Sequence, residues 1–190
     1  MPERITVRAL RAEEWAAARD LRLRALQDPV AGKAFFETLD AARERPDAAW
    51  QELVRSLSPD DPGSRDGRQL VGVASGGEFV ATLTVRLQRA GEGEFGGGTI
   101  TRDRGMLLGV WVAPEARGQG VLDELVDAAG AWTASRGVDR MTLWVHEENL
   151  RAQRAYARLG FSPTGQRVVE AIGPEIAMEL SDVGQGRFCS

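Results

Sequence analysis

The stretch Arg117-Gly118-Gln119-Gly120 and its flanks constrain this chain more than any other feature. Residues 106–112, Met-Leu-Leu-Gly-Val-Trp-Val, form an apolar run of strand length ahead of it. Behind it, Val121 opens an amphipathic helix with Leu122, Leu125, Val126, Ala129 and Trp132 on one face, running to about Ser135. Gly137 is placed to stop that helix, and residues 141–146 read as the next strand. Strand, helix and strand in this order predict a parallel crossover. The turn inside it has its own consequence. The first N–H groups of a helix lack intrahelical partners, and the helix dipole favours negative charge there. Glycine lets backbone approach a bound group closely. The N–H groups from Gly118 through Gln119, Gly120 and Val121 to Leu122, with the forked cation of Arg117, therefore read as a receptor for a phosphorylated ligand. The spacing is neither GxGxxG nor GxxxxGK[ST]. A strand-to-helix turn that only uses glycine to turn is the alternative.

The remaining elements follow from periodicity and punctuation. Residues 5–10 read as a strand and 13–26 as a helix that Asp28-Pro29 ends. Between 33 and 57 the pattern is mixed: a turn near Phe35-Phe36-Glu37-Thr38 with one helical turn after it, then a helix from Pro46 to about Leu57. Residues 58–67 are loop, 69–74 and 78–87 are strands, and Gly76-Gly77 turns between them. The glycine-rich segment 90–104 reads first as a mobile hairpin tip and second as a flap over a ligand site. Asn149 is an N-cap candidate for a helix whose stripe is Ala152, Ala155, Tyr156 and Leu159, ended by Gly160. Residues 161–169 and 175–180 read as final strands and 181–190 as a loose tail.

These elements fit one domain over residues 1–190, without internal repeat or linker. A net charge of −4 leaves no basic face for generic nucleic-acid binding. No apolar stretch approaches the ~20 residues needed to cross a bilayer, and Met1-Pro2-Glu3-Arg4 opens no secretion signal, so the expected location is the cytoplasm. Cys189 is the only cysteine, which rules out an intrachain disulfide.

Two blocks together carry a family resemblance. The first is Val110-Trp111-Val112-Ala113-Pro114-Glu115-Ala116-Arg117-Gly118-Gln119-Gly120-Val121-Leu122. The second is Asn149-Leu150-Arg151-Ala152-Gln153-Arg154-Ala155-Tyr156, followed by Leu159-Gly160-Phe161. The pair resembles the GNAT superfamily of N-acetyltransferases, whose CoA pyrophosphate loop runs Arg/Gln-x-x-Gly-x-Gly/Ala after a strand ending in Val-x-Pro. Leu122 stands where the family has a small residue. The resemblance implies an α+β fold: a single domain with a twisted mixed, mostly antiparallel sheet of about seven strands and helices on both faces. It implies acetyl-CoA as co-substrate and no metal. Arg117, Gly118, Gln119, Gly120, Val121 and Leu122 would hold the pyrophosphate. The backbone of Val110, Trp111 and Val112 would pair with the pantetheine arm where it splays from residues 143–145, and Asn149 would contact that arm.

The implied activity is transfer of an acetyl group to a primary amine by direct attack, with Tyr156 protonating the departing thiolate. The implied acceptor is a small molecule or peptide, with no nucleic-acid or membrane partner, and a homodimer is in keeping with such proteins. On residues alone, Tyr156 fits equally well as packing on its helix, and Asn149 as a plain cap. No base is evident. His146 is the leading candidate, followed by Glu37, Glu147 and Glu148, or a water relay. The missing base and Leu122 keep a second reading open, a non-catalytic acyl-CoA-binding sensor or interaction module. Asp123 and Glu124 are expected to face solvent, away from a phosphate, and Leu122 to pack inward.

Overall fold

Alternating apolar and polar residues build seven strands in one sheet, and helical stripes lay five helices on it. The computed structural model describes residues 4–183. In chain order the elements are β1 (Thr6–Ala9), α1 (Trp15–Leu26), α2 (Leu39–Glu44), α3 (Asp47–Arg55), β2 (Gly67–Val73), β3 (Phe79–Gln88), β4 (Arg104–Val112), α4 (Val121–Ser135), β5 (Arg140–His146), α5 (Leu150–Arg158), β6 (Ser162–Glu170) and β7 (Gly173–Ser181). The sheet order is β1-β2-β3-β4-β5-β7-β6. Every pairing is antiparallel except β4 with β5, the crossover that the strand–helix–strand pattern predicts.

Register divides the sheet into two faces. Cross-strand partners share a face, so Thr84 with Leu108 and Arg86 with Met106 point one way. That face lies under α1 and α3, whose Leu21, Trp50 and Val54 meet it. Val85 with Leu107 point the other way, where α4 buries Val121, Leu125, Val126 and Ala129 almost completely. Burial of each of the valine and leucine side chains contributes about 1.5–3 kcal/mol.

One local irregularity shapes the centre of the sheet. The β3–β4 register shifts between Thr82 and Thr84, and Gly109 in the bulged strand takes φ 59°. That is left-handed backbone, which glycine adopts without a Cβ clash. The parallel β4–β5 pairing is confined to Gly105↔Met141 and Met106↔Thr142. Past Met106 the two strands part, and a wedge opens between them.

Some boundaries differ from the sequence expectation. A 3-10 turn, Ala12–Glu14, precedes α1. Pro46 sits at the N-cap of α3 rather than inside it, in extended conformation. The segment between β3 and β4 is a small hairpin of its own rather than a free tip. Gly91 N–H donates to Ile100 O (2.8 Å), Ile100 N–H to Glu92 O (2.8 Å) and Glu94 N–H to Gly98 O (3.1 Å). Ile100 is buried beneath it, and Glu94 reaches Arg104 (2.7 Å) and Gln166 (3.2 Å). Apolar and ionic anchors, invisible in a glycine-rich string, hold this flap against the sheet. Cys189 and most of the tail expected at 181–190 lie outside the described residues. Among the described residues no helix is long and apolar enough to cross a membrane.

Candidate functional site

The glycine turn follows the end of β4 and starts α4. Gly118 and Gly120 take φ 76° and 81°, and Gly120 is the N-cap without any side-chain cap. Among the described residues, no acceptor is found for the backbone N–H groups of Gly118, Gln119, Gly120, Val121 and Leu122. Open donors at a helix start are the arrangement that the sequence reading expects of this turn.

Arg117 is placed differently from a simple phosphate clamp. Its Nε donates to Val112 O (2.9 Å) and its Nη2 to the Asp28 carboxylate. Asp28 is nearly buried and also accepts from Val30 N–H (3.1 Å) and Trp111 Nε1 (3.1 Å). Burial pushes the Asp28 carboxyl up, but the bonds from Val30, Trp111 and Arg117 outweigh it and hold the group below the usual carboxylate range. Arg117 is thus a strut between the turn and the end of α1, and its Nη1 has no hydrogen-bond partner among the described residues. Gln119 Nε2 donates back to Glu115 O (2.8 Å).

Leu122 packs half-buried against the core, as its helical face predicts. Glu124 is exposed, but Asp123 is not directed to solvent. Arg158 of α5 holds it through two hydrogen bonds (3.0 and 2.8 Å), because the C-terminal end of α5 lies close enough to the first turn of α4 for a fork–fork pair. The pair cancels the acid that would otherwise repel an anion beside the turn.

The β4–β5 wedge opens into a cavity of about 740 Å³ under α1, α3 and the flap. Val110 lines it; Trp111 turns its indole to Asp28, and Val112 gives its carbonyl to Arg117. Asn149 does two jobs at once. Its Oδ1 caps α5 by accepting from Ala152 N–H (3.2 Å), and it lines the cavity. Tyr156 also lines the cavity, its ring edge-on to Phe161 at 5.8 Å. Burial pushes the phenol well above its ordinary range, so it stays protonated and able to donate. The cavity therefore unites Val110, Asn149 and Tyr156, while residues 117–122 lie beyond its lining at the far end of β4.

None of the base candidates from sequence is free in the cavity. His146 is buried and accepts from Glu148 N–H through Nδ1 (3.1 Å), which fixes the β5–α5 turn. Glu147 pairs with Arg167 and Glu148 with Lys33 (both 2.5 Å). Glu37 reaches the cavity with both oxygens taken, by Arg22 (2.9 Å) and Arg45 (2.5 Å). Sequence reasoning missed Glu175. It lies in β7 opposite His146, lines the cavity, is 5% exposed, and makes no side-chain hydrogen bond among the described residues. Burial, with Glu170 adding to it, pushes its carboxyl up. The alternation of Ile176, Met178 and Leu180 puts Glu175 on the opposite face of β7, but nothing local announces that this face is covered there. No group of His, Cys, Asp or Glu among the described residues is arranged to hold a metal.

Comparison with known proteins agrees with this geometry. The chain matches the acetyltransferase (GNAT) family over residues 15–161. It is 32% identical over 132 residues to an aminoglycoside N(6')-acetyltransferase type 1 of Stenotrophomonas maltophilia, covering 64% of this chain and 83% of that one. The PaiA N-acetyltransferase of Thermoplasma acidophilum, solved with coenzyme A, superposes with TM-score 0.69 at 16% identity over 94% of this chain and 99% of its own. The spermidine N-acetyltransferase of Vibrio cholerae, solved with CoA and spermine, gives TM-score 0.67 at 17% identity over 94% and 95%. This chain therefore belongs to the GNAT family and is an acyl-CoA-dependent N-acyltransferase.

Proposed function

We infer that the chain, acting as one domain, moves an acetyl group from acetyl-CoA to a primary amine by direct attack. One observation carries this reading: the β4–β5 pairing stops after two residue pairs, and β4 runs on unpaired with β5 towards a turn with five N–H groups that find no partner among the described residues. The turn suits a diphosphate, and the exposed strand edges suit the amides of a pantetheine arm. Bound acetyl-CoA supplies an acetyl carbon already activated as a thioester. The protein's part is then mainly orientation, which is worth up to roughly 7–11 kcal/mol in favourable cases. Asn149 stands at the wedge to steady the arm. The C–N bond forms as the C–S bond breaks, and Tyr156 gives its proton to the departing sulfur. No serine or cysteine nucleophile is required.

The test is release of CoA thiol from the purified chain with acetyl-CoA and a panel of amines, alongside a direct CoA titration. Turnover with any amine supports the reading. Tight CoA binding with no acceptor consumed would instead make the chain a non-catalytic acyl-CoA sensor.

A further inference from the structure

The charges lining the cavity are not those of a site for a polycation. Four cations face it, Arg22, Lys33, Arg45 and Arg86, against two carboxylates, Glu37 and Glu175. Glu37 is saturated by Arg22 and Arg45, and those two guanidiniums stack on Phe35 (4.2 Å) and Trp50 (4.4 Å). Lys33 is occupied by Glu148. Glu175 is therefore the one cavity carboxylate left without a cationic partner among the described residues. A second and third ammonium would meet guanidiniums instead of carboxylates, and burying an unpaired charge is costly.

Beside Glu175 the cavity is aromatic. Phe36 of the α1–α2 connection, Phe95 of the flap and Trp144 of β5 form an edge-to-face chain, at 5.7 Å for Phe36–Phe95 and 5.4 Å for Phe95–Trp144. Trp144 and Glu175 belong to the same face of the sheet, because Trp144 pairs with Ala177 and His146 with Glu175. The flap brings Phe95 there, while Glu94 beside it is locked to Arg104 and Gln166. Such rings hold an apolar body and favour a cation at their faces.

We propose that the acceptor is a molecule with a single amine on an aromatic or branched apolar body. Its ammonium is received by Glu175 and its body is held by Phe36, Phe95 and Trp144. Glu175 takes one ammonium proton and releases it to solvent. The nitrogen's second proton balances the one that Tyr156 passes to sulfur, so the phenol is restored. This assignment rests on the acetyl-transfer reading, and it sets the chain apart from relatives named for aminoglycosides or spermidine.

The experiment compares phenethylamine, spermidine and an aminoglycoside as acceptors for the full chain, by thiol release, with CoA affinity measured separately. Phenethylamine is expected to show kcat/KM about 100-fold above either polycation. Glu175→Gln is expected to lower kcat for phenethylamine by about 100-fold with CoA affinity and unfolding midpoint retained. Phe95→Ala is expected to raise its KM about tenfold, again without moving CoA affinity. It serves equally if Glu175→Gln does not fold. Preference for a polycation, CoA binding without use of phenethylamine, or unchanged kinetics in both variants overturns the assignment alone. Absence of any CoA binding overturns the acetyl-transfer reading and this assignment with it.

Discussion

Replacing Tyr156 with Phe removes one oxygen from the apolar side of α5 and leaves its packing on Phe161 intact. If the phenol protonates the leaving sulfur, kcat should fall about 100-fold while CoA affinity stays level, as steady-state kinetics and calorimetry would report. Asp28 offers a residue-level test of a different kind. Asp28→Asn keeps the shape but withdraws the charge that Arg117, Trp111 and Val30 share, at an expected cost of about 1.5–3 kcal/mol at pH 7. Because the folded state holds this carboxyl below its usual range, its stabilisation is complete above about pH 4 and fades as pH falls through the lower folded value. Urea titrations at pH 7 and pH 3 should therefore show a gap between wild type and variant that narrows in acid. In the sequence, Asp28 is legible only as a helix breaker beside Pro29. Its partners Trp111 and Arg117 stand 83 and 89 residues further on, and no periodicity links them.

At the scale of elements, α4, β5 and α5 are legible because each carries a stripe or alternation together with its own stop or cap. The bulge in β4 is not, since Leu108-Gly109-Val110 reads as uninterrupted strand and the positive φ emerges only when β3 is paired alongside. Gly109→Ala tests what it does. Nothing but the tip of Arg22, at 3.9 Å, lies near the added methyl, so the backbone penalty stands alone. Stability should drop by about 1–2 kcal/mol in chemical denaturation. CoA affinity should drop as well if the bulge sets the wedge. The helix pair gives a milder prediction. Arg158→Ala would leave Asp123 uncompensated beside the turn and weaken CoA binding a few-fold at low salt, an effect that 0.5 M salt should largely erase in parallel titrations.

For the molecule as a whole, donor binding and stability are linked. CoA at about 100 times its dissociation constant adds about 2.7 kcal/mol to the folded state. For a chain of this size that should raise Tm by roughly 5–10 °C in a thermal melt, and an unmoved midpoint would count against the turn as a CoA site. Glu175 and the flap are legible only at this scale, because one is buried and the other anchored by residues far away in sequence.

The two-rung junction at Gly105 and Met106 also has a mechanical meaning. Strands β1 to β4 form one plate and β5, β7 and β6 another, and backbone bonds rivet them at one end only. Backbone rungs are then concentrated at the rivet and missing at the mouth, as in a pair of tongs. An extended guest with amides along its length would replace the missing rungs and turn two plates into one.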